Sequence, residues 1–363
     1  MKIINKKNKI FIGLEDIANI PMMFKKAFEE NGLKCDYYKW SNIGEHAFGY
    51  GKDKTFFIFK QPPPFRIFGK NPFWLFSELL ASAYLLYSIL RYDYFFFVTE
   101  STFLSNNKDL KIIRLFKKRV IMMFTGCTVR DVNFGEADED YVCKKCLFTA
   151  QQIWCLCNDT KRKKKLVNRL ERLSDKIFGQ DDLTGYVDDK SKLLWFYIIS
   201  DYPKNKVNLS EKYNQKEIRI IHFPSNPLVK QSHIIIPILN KFNNHKDVKI
   251  IIKDAIWGRE RVEEEISKAH ILVNQLGFGY NTLPVEAMSY GCVVFNSHPL
   301  WFKRNVPDAP IVHITAETLE HTLEHFLNNR TELREYAEKS IEYYFKYHSP
   351  KAAGNYYRKV LEI

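Results

Sequence analysis

Between Ala269 and Ser297 the chain reads AHILVNQLGFGYNTLPVEAMSYGCVVFNS, which parses as strand, glycine loop, helix, glycine stop and strand. Gly277 and Gly279 let the backbone turn tightly after the strand. Asn281 or Thr282 can cap the helix that follows, and Pro284 suits its first turn. The free amides of a helix start just past the C-terminal end of a parallel strand form an anion site. Glu286, in the same first turn, would point two acceptor oxygens at whatever carries the phosphate. A ribose diol fits such a carboxylate. So does the plainer role of a negative charge set against the helix dipole.

Two other groups of residues could do chemistry. Cys143-x-x-Cys146 and Cys155-x-Cys157 are closely spaced pairs, with Cys127 as a substitute ligand. Thiolates so arranged can close a tetrahedral Zn2+ site that holds a loop with little core of its own. The second pair departs from the usual two-residue spacing, and four reduced thiols are the alternative. The run KRKKKLVNRLERLSDK, Lys161 to Lys176, suits a basic amphipathic helix at an anionic membrane surface, or equally a solvated helix face. Asp138-Glu139-Asp140 has the letters of a metal-binding Asp-x-Asp motif but lies in a charged loop rather than at a strand end. No catalytic divalent cation and no organic cofactor are expected.

The run NTLPVEAMSYGCVVF resembles the nucleotide-sugar signature of retaining glycosyltransferases of the GT-B fold, particularly the family 4 group. The resemblance implies two Rossmann-like domains whose parallel sheets face a cleft. It places the donor contacts on Gly279, Asn281, Thr282, Leu283 and Glu286, with Glu286 holding the ribose. The family motif carries another Glu separated from this one by seven residues, where this chain has Phe278, and that residue normally contacts the donor sugar. RIIHFPSNPLVK, Arg219 to Lys230, resembles the family's first strand and loop of the nucleotide domain, ending in a lysine that reaches the diphosphate. Lys230 takes that role, with Ser225 and Asn226 weaker candidates. The family's preceding Arg is replaced by Asn226-Pro227, so one diphosphate contact is absent or supplied from elsewhere. Without the resemblance, a lysine on such a loop reads as plain surface.

TGCTVRD, Thr125 to Asp131, looks like a turn of bacterial members of this group. It implies that Arg130 reaches the donor phosphate or an acidic acceptor, against a surface pairing with Asp131 or Glu136. LEDIANIPMMFKKAFEENG resembles the group's first loop and helix, with Asn19 on the acceptor side. Glu100, after the YFFFV run, is a further polar candidate. The implied reaction moves a sugar from a UDP- or GDP-sugar to a glycan, plausible on a lipid carrier, with retention of configuration. The departing diphosphate itself can take the acceptor's proton, so Lys230 and the helix amides would act by stabilising its charge. A nucleotide-sugar epimerase of the same fold and a degenerate glycan-binding scaffold are the competing readings.

The elements that must position these residues follow βαβ grammar. Ile10 to Ile12, Thr55 to Phe59, Tyr94 to Val98 and Arg119 to Phe124 read as strands, and Pro21 to Asn31 as a helix stopped by Gly32. Phe73 to Leu90 carries only Glu78 as a charge and is at the lower limit for a membrane span. Its serines and tyrosines favour a buried or interfacial helix. Residues 127–190 break the pattern and read as a Cys-rich insertion. A second series opens at Ile218 to Phe223 and continues through Val248 to Ile252, Ile271 to Val273 and Val293 to Phe295. The expected division is therefore 1–214, 215–350, and a final helix, 351–363, crossing back to the first domain.

Composition agrees with an enzyme-sized globular protein. The 363 residues are 45% hydrophobic and 27% charged, which excludes a disordered or collagen-like chain. An excess of 55 Lys and Arg over 42 Asp and Glu, a formal +13, points to an anionic partner. No nucleic-acid motif accompanies the lysines, and the aromatics fall inside strands and helices, so nucleic acid is not expected. Lys6, Lys7 and Lys9 interrupt the apolar stretch a secretory signal needs, and seven cysteines are an odd number. Both favour a reducing cytoplasm, with or without peripheral attachment to the inner face of the cytoplasmic membrane.

Overall fold

The computed structural model describes residues 9–40, 54–56, 72–126, 129–130, 159–179, 181–253, 257–276, 281–297, 306 and 308–363. The chain divides into two compact units. The first gathers Met1–Val129, Lys161–Phe196 and Gly354–Ile363, the second Arg130–Thr160 and Tyr197–Ala353. Residues 197–214 thus group with the second unit, and the last ten residues with the first.

In chain order the first unit holds β1 (Lys9–Leu14), α1 (Ile20–Glu30), β2 (Lys34–Trp40), β3 (Lys54–Phe56), α2 (Pro72–Arg91), β4 (Tyr94–Phe97), α3 (Asp109–Leu115), β5 (Arg119–Met123), α4 (Thr160–Leu173), β6 (Lys176–Gly179) and β7 (Leu193–Trp195). The seven strands form one sheet in the order β3-β2-β1-β4-β5-β6-β7, and every neighbouring pair is parallel. Strands covered on both faces read as continuous apolar runs, which is why FIGL and YFFF stand out in the sequence. Phe11, Phe95, Phe97, Val120 and Met122 point to one face. There they pack with Ala81, Leu85 and Ile89 of α2, Leu110 and Ile113 of α3, and Val167, Leu170 and Leu173 of α4. The stretch expected as a Cys-rich insertion therefore divides: residues 131–158 lie outside the described residues, while α4 and β6 belong to the sheet and its covering layer.

The second unit contributes α5 (Leu209–Tyr213), β8 (Ile218–His222), α6 (Ser232–Asn240), β9 (Val248–Ile252), α7 (Arg259–Lys268), β10 (Ile271–Gln275), α8 (Thr282–Ser289), β11 (Val293–Asn296), β12 (Ile311–His313), α9 (Leu319–Asn328) and α10 (Arg330–Tyr343). Its five strands are parallel in the order β12-β11-β10-β8-β9. The chain runs from β8 outward to β9 and then returns to the other side of β8 as β10. The order therefore reverses between β8 and β10, and the loops leaving their carboxyl ends diverge. Ligands of open α/β sheets bind at such a switch point.

The other face of the first sheet is covered by α1 and the final helix, α11 (Pro350–Leu361). Tyr357 lies 4.8 Å from Phe24 of α1 and 5.1 Å from Phe178 of β6, ring to ring. Gly354 permits this contact, since a Cβ there would run into the Ala27 carbonyl and the Asn31 side chain. Gly354→Val is expected to lower stability by about 1–3 kcal/mol through overpacking. Chemical denaturation would check it, and an unchanged midpoint would show that the helix has room to shift.

Candidate functional site

Each central strand of the second unit ends in polar residues. β8 ends at His222, β10 at Asn274-Gln275 and β11 at Asn296, and all four are buried. His222 Nδ1 lies 2.8 Å from the Val273 carbonyl, and Nε2 2.8 Å from Ser232 Oγ. A carbonyl only accepts, so Nδ1 carries the proton and Nε2 accepts from the Ser232 hydroxyl. Burial pushes the imidazole down to about 4, which keeps it neutral near pH 7. His222 thereby ties the end of β8 to β10 and to the first residue of α6.

The loop between β8 and α6 is shaped locally. Asn226 Oδ1 accepts from the amides of Leu228 and Val229 at 3.1 and 3.2 Å, and the Asn226 carbonyl accepts from the Lys230 amide at 3.0 Å. Gln231, at φ 55° and ψ 40°, turns the chain into α6. Asn226, a weaker site candidate from the sequence, spends its side-chain oxygen on this turn. The turn delivers Lys230 across the switch point, where its ammonium donates to Asn274 Oδ1 at 3.3 Å and, at closer range, to Gln275 Oε1. Asn274 is itself oriented by donating to Asn296 Oδ1 at 2.6 Å. Lys230 is buried at 6% exposure, and the partners described are neutral amides. Burial alone pushes its pKa down to about 7. A cation held this way retains its charge-pairing capacity for an anion.

The chain re-enters the described residues at Asn281, which stands at the head of α8 in extended conformation and makes no side-chain capping bond. Asn281, Thr282 and Leu283 are half-buried. Glu286 is buried one turn further on, and both its oxygens face Arg259, the first residue of α7. Arg259 Nη1 donates to Oε2 at 2.6 Å, and Nη2 lies closer still to Oε1. Burial pushes the carboxyl up, and Arg259 pulls it back toward the ionised form. A carboxylate offers about four lone-pair sites, so a forked arginine leaves room for two further donors.

The structure thus brings Lys230 to the carboxyl end of β10 and sets Glu286 in the helix that follows that strand. Gly279 and Phe278 lie outside the described residues, as do Cys127, Cys143, Cys146, Cys155 and Cys157. The two described cysteines, Cys35 and Cys292, are reduced and buried. Arg130 is described and half-buried, but residues 127–128 and 131–158 around it are not. Asn19 is buried at the head of α1, its amide bonded to Asp16 Oδ1 at 3.1 Å, and the Glu100 carbonyl accepts from Asn107. A polar cavity of about 630 Å3 elsewhere in the second unit is walled by Lys204, Arg219, Glu263 and Tyr290, and contains none of the candidate residues.

Sequence reasoning passed over His222, Asn274, Gln275, Asn296 and Arg259. The first four left a signal, a polar residue closing an otherwise apolar strand. Arg259 left none, because RERVEEEISK reads as an ordinary charged helix.

No protein-family model and no curated protein matches the chain. Solved structures do. HepE of Anabaena, solved in complex with UDP-glucose and with UDP, superposes with a TM-score of 0.61 at 10% identity, over 98% of this chain and 99% of that one. Sucrose-phosphate synthase of Thermosynechococcus elongatus gives 0.59 at 12% identity, over 98% and 100%. The chain has the GT-B fold. This is the expected fold class, with two units each built on a parallel sheet. A putative UDP-N-acetylglucosamine 2-epimerase of Listeria monocytogenes also shares it, at a TM-score of 0.53 and 9% identity over 98% and 96%. Identities this low carry the GT-B architecture and leave the chemistry to the residues.

Proposed function

We propose that the chain is a glycosyltransferase that moves a sugar from a UDP- or GDP-sugar to a glycan acceptor, lipid-linked, in the manner of the retaining family 4 enzymes and without a catalytic divalent cation. The observation that supports this most is Lys230, a buried cation at the switch point of the second sheet, held by amide oxygens and facing the strand end that leads into α8. Its charge would meet the donor diphosphate. Glu286, oriented by Arg259, would accept the ribose hydroxyls. Arg130 and the Gly279 loop remain proposed donor contacts.

Charge that grows on the departing diphosphate makes Lys230 worth more in the transition state than in the ground state. Product analysis by NMR, with labelled UDP- and GDP-sugars in the presence and absence of glycan acceptors, tests the reading. Sugar transfer with retained configuration is expected. The GT-B likeness to an epimerase gives the second reading its support, and donor conversion without any acceptor would establish it instead.

The amide cradle yields a pH prediction. Only protonated Lys230 attracts the diphosphate, so kcat/KM should fall as pH rises through about 7. His222, near 4, stays neutral throughout that window. Asn274→Asp sets a carboxylate against Lys230, which raises its pKa and satisfies its charge internally. The alkaline limb should move to higher pH while donor KM rises about tenfold, and a limb that stays in place would show that Lys230 does not set it.

A further inference from the structure

Helix α2 is apolar nearly all round, yet only one side of it is buried. Ser77, Ala81, Leu85, Ser88 and Ile89 face the sheet. Phe76, Leu79, Leu86, Tyr87 and Leu90 lie on the opposite side, and Leu79 and Leu90 are 67% and 86% exposed. At 3.6 residues per turn these five fall within an arc of about 100°, forming a stripe about 21 Å long. A continuous exposed apolar stripe of this kind marks a docking surface.

The stripe has neighbours. α2, α3 and α4 all bury side chains in the same core cluster on one face of the first sheet, so their outer sides form one layer facing away from it. On α3 and just beyond it, Leu115 is 79% exposed and Phe116 is exposed beside Lys111 and Lys117. On α4, Lys161, Arg162, Lys164, Lys165 and Arg172 are exposed. The acids of the three helices do not offset them. Asp109 and Glu171 are buried, and Glu78 is half-buried and bonded to Ser105. Arg91 ends α2 packed over the Tyr87 ring at 5.8 Å.

We propose that the outer face of α2, α3 and α4 docks on an anionic lipid bilayer, with the α2 stripe entering the acyl boundary and the lysines of α3 and α4 meeting the headgroups. Apolar side chains flanked by basic ones on one outward layer are the pattern of an interfacial surface. A second copy of this chain is the poorer occupant, because it would set the same basic layer against itself. α2 lies on the surface rather than crossing it, since its inner side belongs to the core, and no helix of the described residues is long and apolar enough to span a membrane. The surface belongs to the first unit and holds whatever the second unit binds.

Vesicle flotation of the full chain tests this. Phosphatidylcholine vesicles containing phosphatidylglycerol should carry the protein and pure phosphatidylcholine should not, and binding should weaken steeply with salt. Lys161→Gln/Lys164→Gln/Lys165→Gln should weaken binding about a hundredfold, or about fivefold per lysine. Leu79→Gln/Leu86→Gln/Leu90→Gln, all at exposed positions, should remove the binding that survives high salt. Thermal melts and nucleotide titrations of both variants should match wild type, so loss of membrane binding is read apart from folding and from the donor site. Equal binding to neutral vesicles, variants that float like wild type, or leucine variants that only convert a dimer to a monomer would each overturn the proposal.

Discussion

Lys230→Met is expected to stabilise the protein and disable it. A lysine whose pKa falls from 10.5 to about 7 on burial carries about 4 kcal/mol of opposed charging energy at neutral pH. Methionine keeps most of the volume without the charge, at the cost of about 1–3 kcal/mol for the amide oxygens of Asn274 and Gln275 left without their donor. A net gain of about 1–3 kcal/mol should appear in chemical denaturation without ligand. The sign of the pH dependence follows from the depressed folded value. Between about 7 and 10.5 the unfolded chain holds a proton that the folded site has shed, so wild-type stability gains from this group as pH rises through that window. The Met variant should lack the gain. Turnover should fall by about 10²-fold or more, since a preorganised charge facing the leaving group is lost. Lys230→Arg should retain some activity, and Lys230→Ala should lower kcat as well as raise donor KM. A destabilised Met variant would contradict the account of Lys230 as a strained charge.

Arg259→Ala is expected to have the largest effect on stability. It leaves Glu286 buried without its counter-charge, which typically costs about 3–5 kcal/mol. Protonation would relieve part of that loss, so the variant should regain stability as pH falls. Glu286→Ala should be milder, because Arg259 is more exposed than its partner and can turn to water. In kinetics the order reverses in kind. Glu286→Ala removes an acceptor that serves ground and transition states equally, so it should chiefly raise donor KM, with Glu286→Gln between Ala and wild type. Arg259→Ala should also raise donor KM, more at low pH, where the freed carboxyl gains a proton. If the two alanine variants lose equal stability and leave KM unchanged, the pair is structural only.

How much of this was legible in the sequence depended on whether neighbours in the chain carried the signal. β4 and β11, YFFF and VVFN, announce themselves because both faces of a parallel strand are buried. β2, KCDYYKW, does not. Its Asp36 is held by Lys9 at 2.8 Å, Lys54 at 2.5 Å and Tyr92 at 2.7 Å, an arrangement that exists only after the chain has folded. β6, β7 and β12 are three or four residues long, too short for a period to show. The same division holds at the site. The helix after β10 that carries Glu286 could be read locally, and so could a lysine after β8. The Arg259 fork on Glu286 joins residues 27 positions apart on different helices, and nothing in RERVEEEISK marks it. The Asn296–Asn274–Lys230 line likewise requires the strand order β11-β10-β8, which the sequence does not state.

Calorimetric titration of UDP and of GDP into the intact protein and into Lys230→Met tests the central claim most directly. One of the two nucleotides should saturate the wild type at one site per chain, and the Met variant should bind it at least tenfold more weakly while remaining folded. A wild type that binds neither nucleotide, or a Met variant that binds as tightly as wild type, would contradict the assignment of the switch point between β8 and β10 as the donor site.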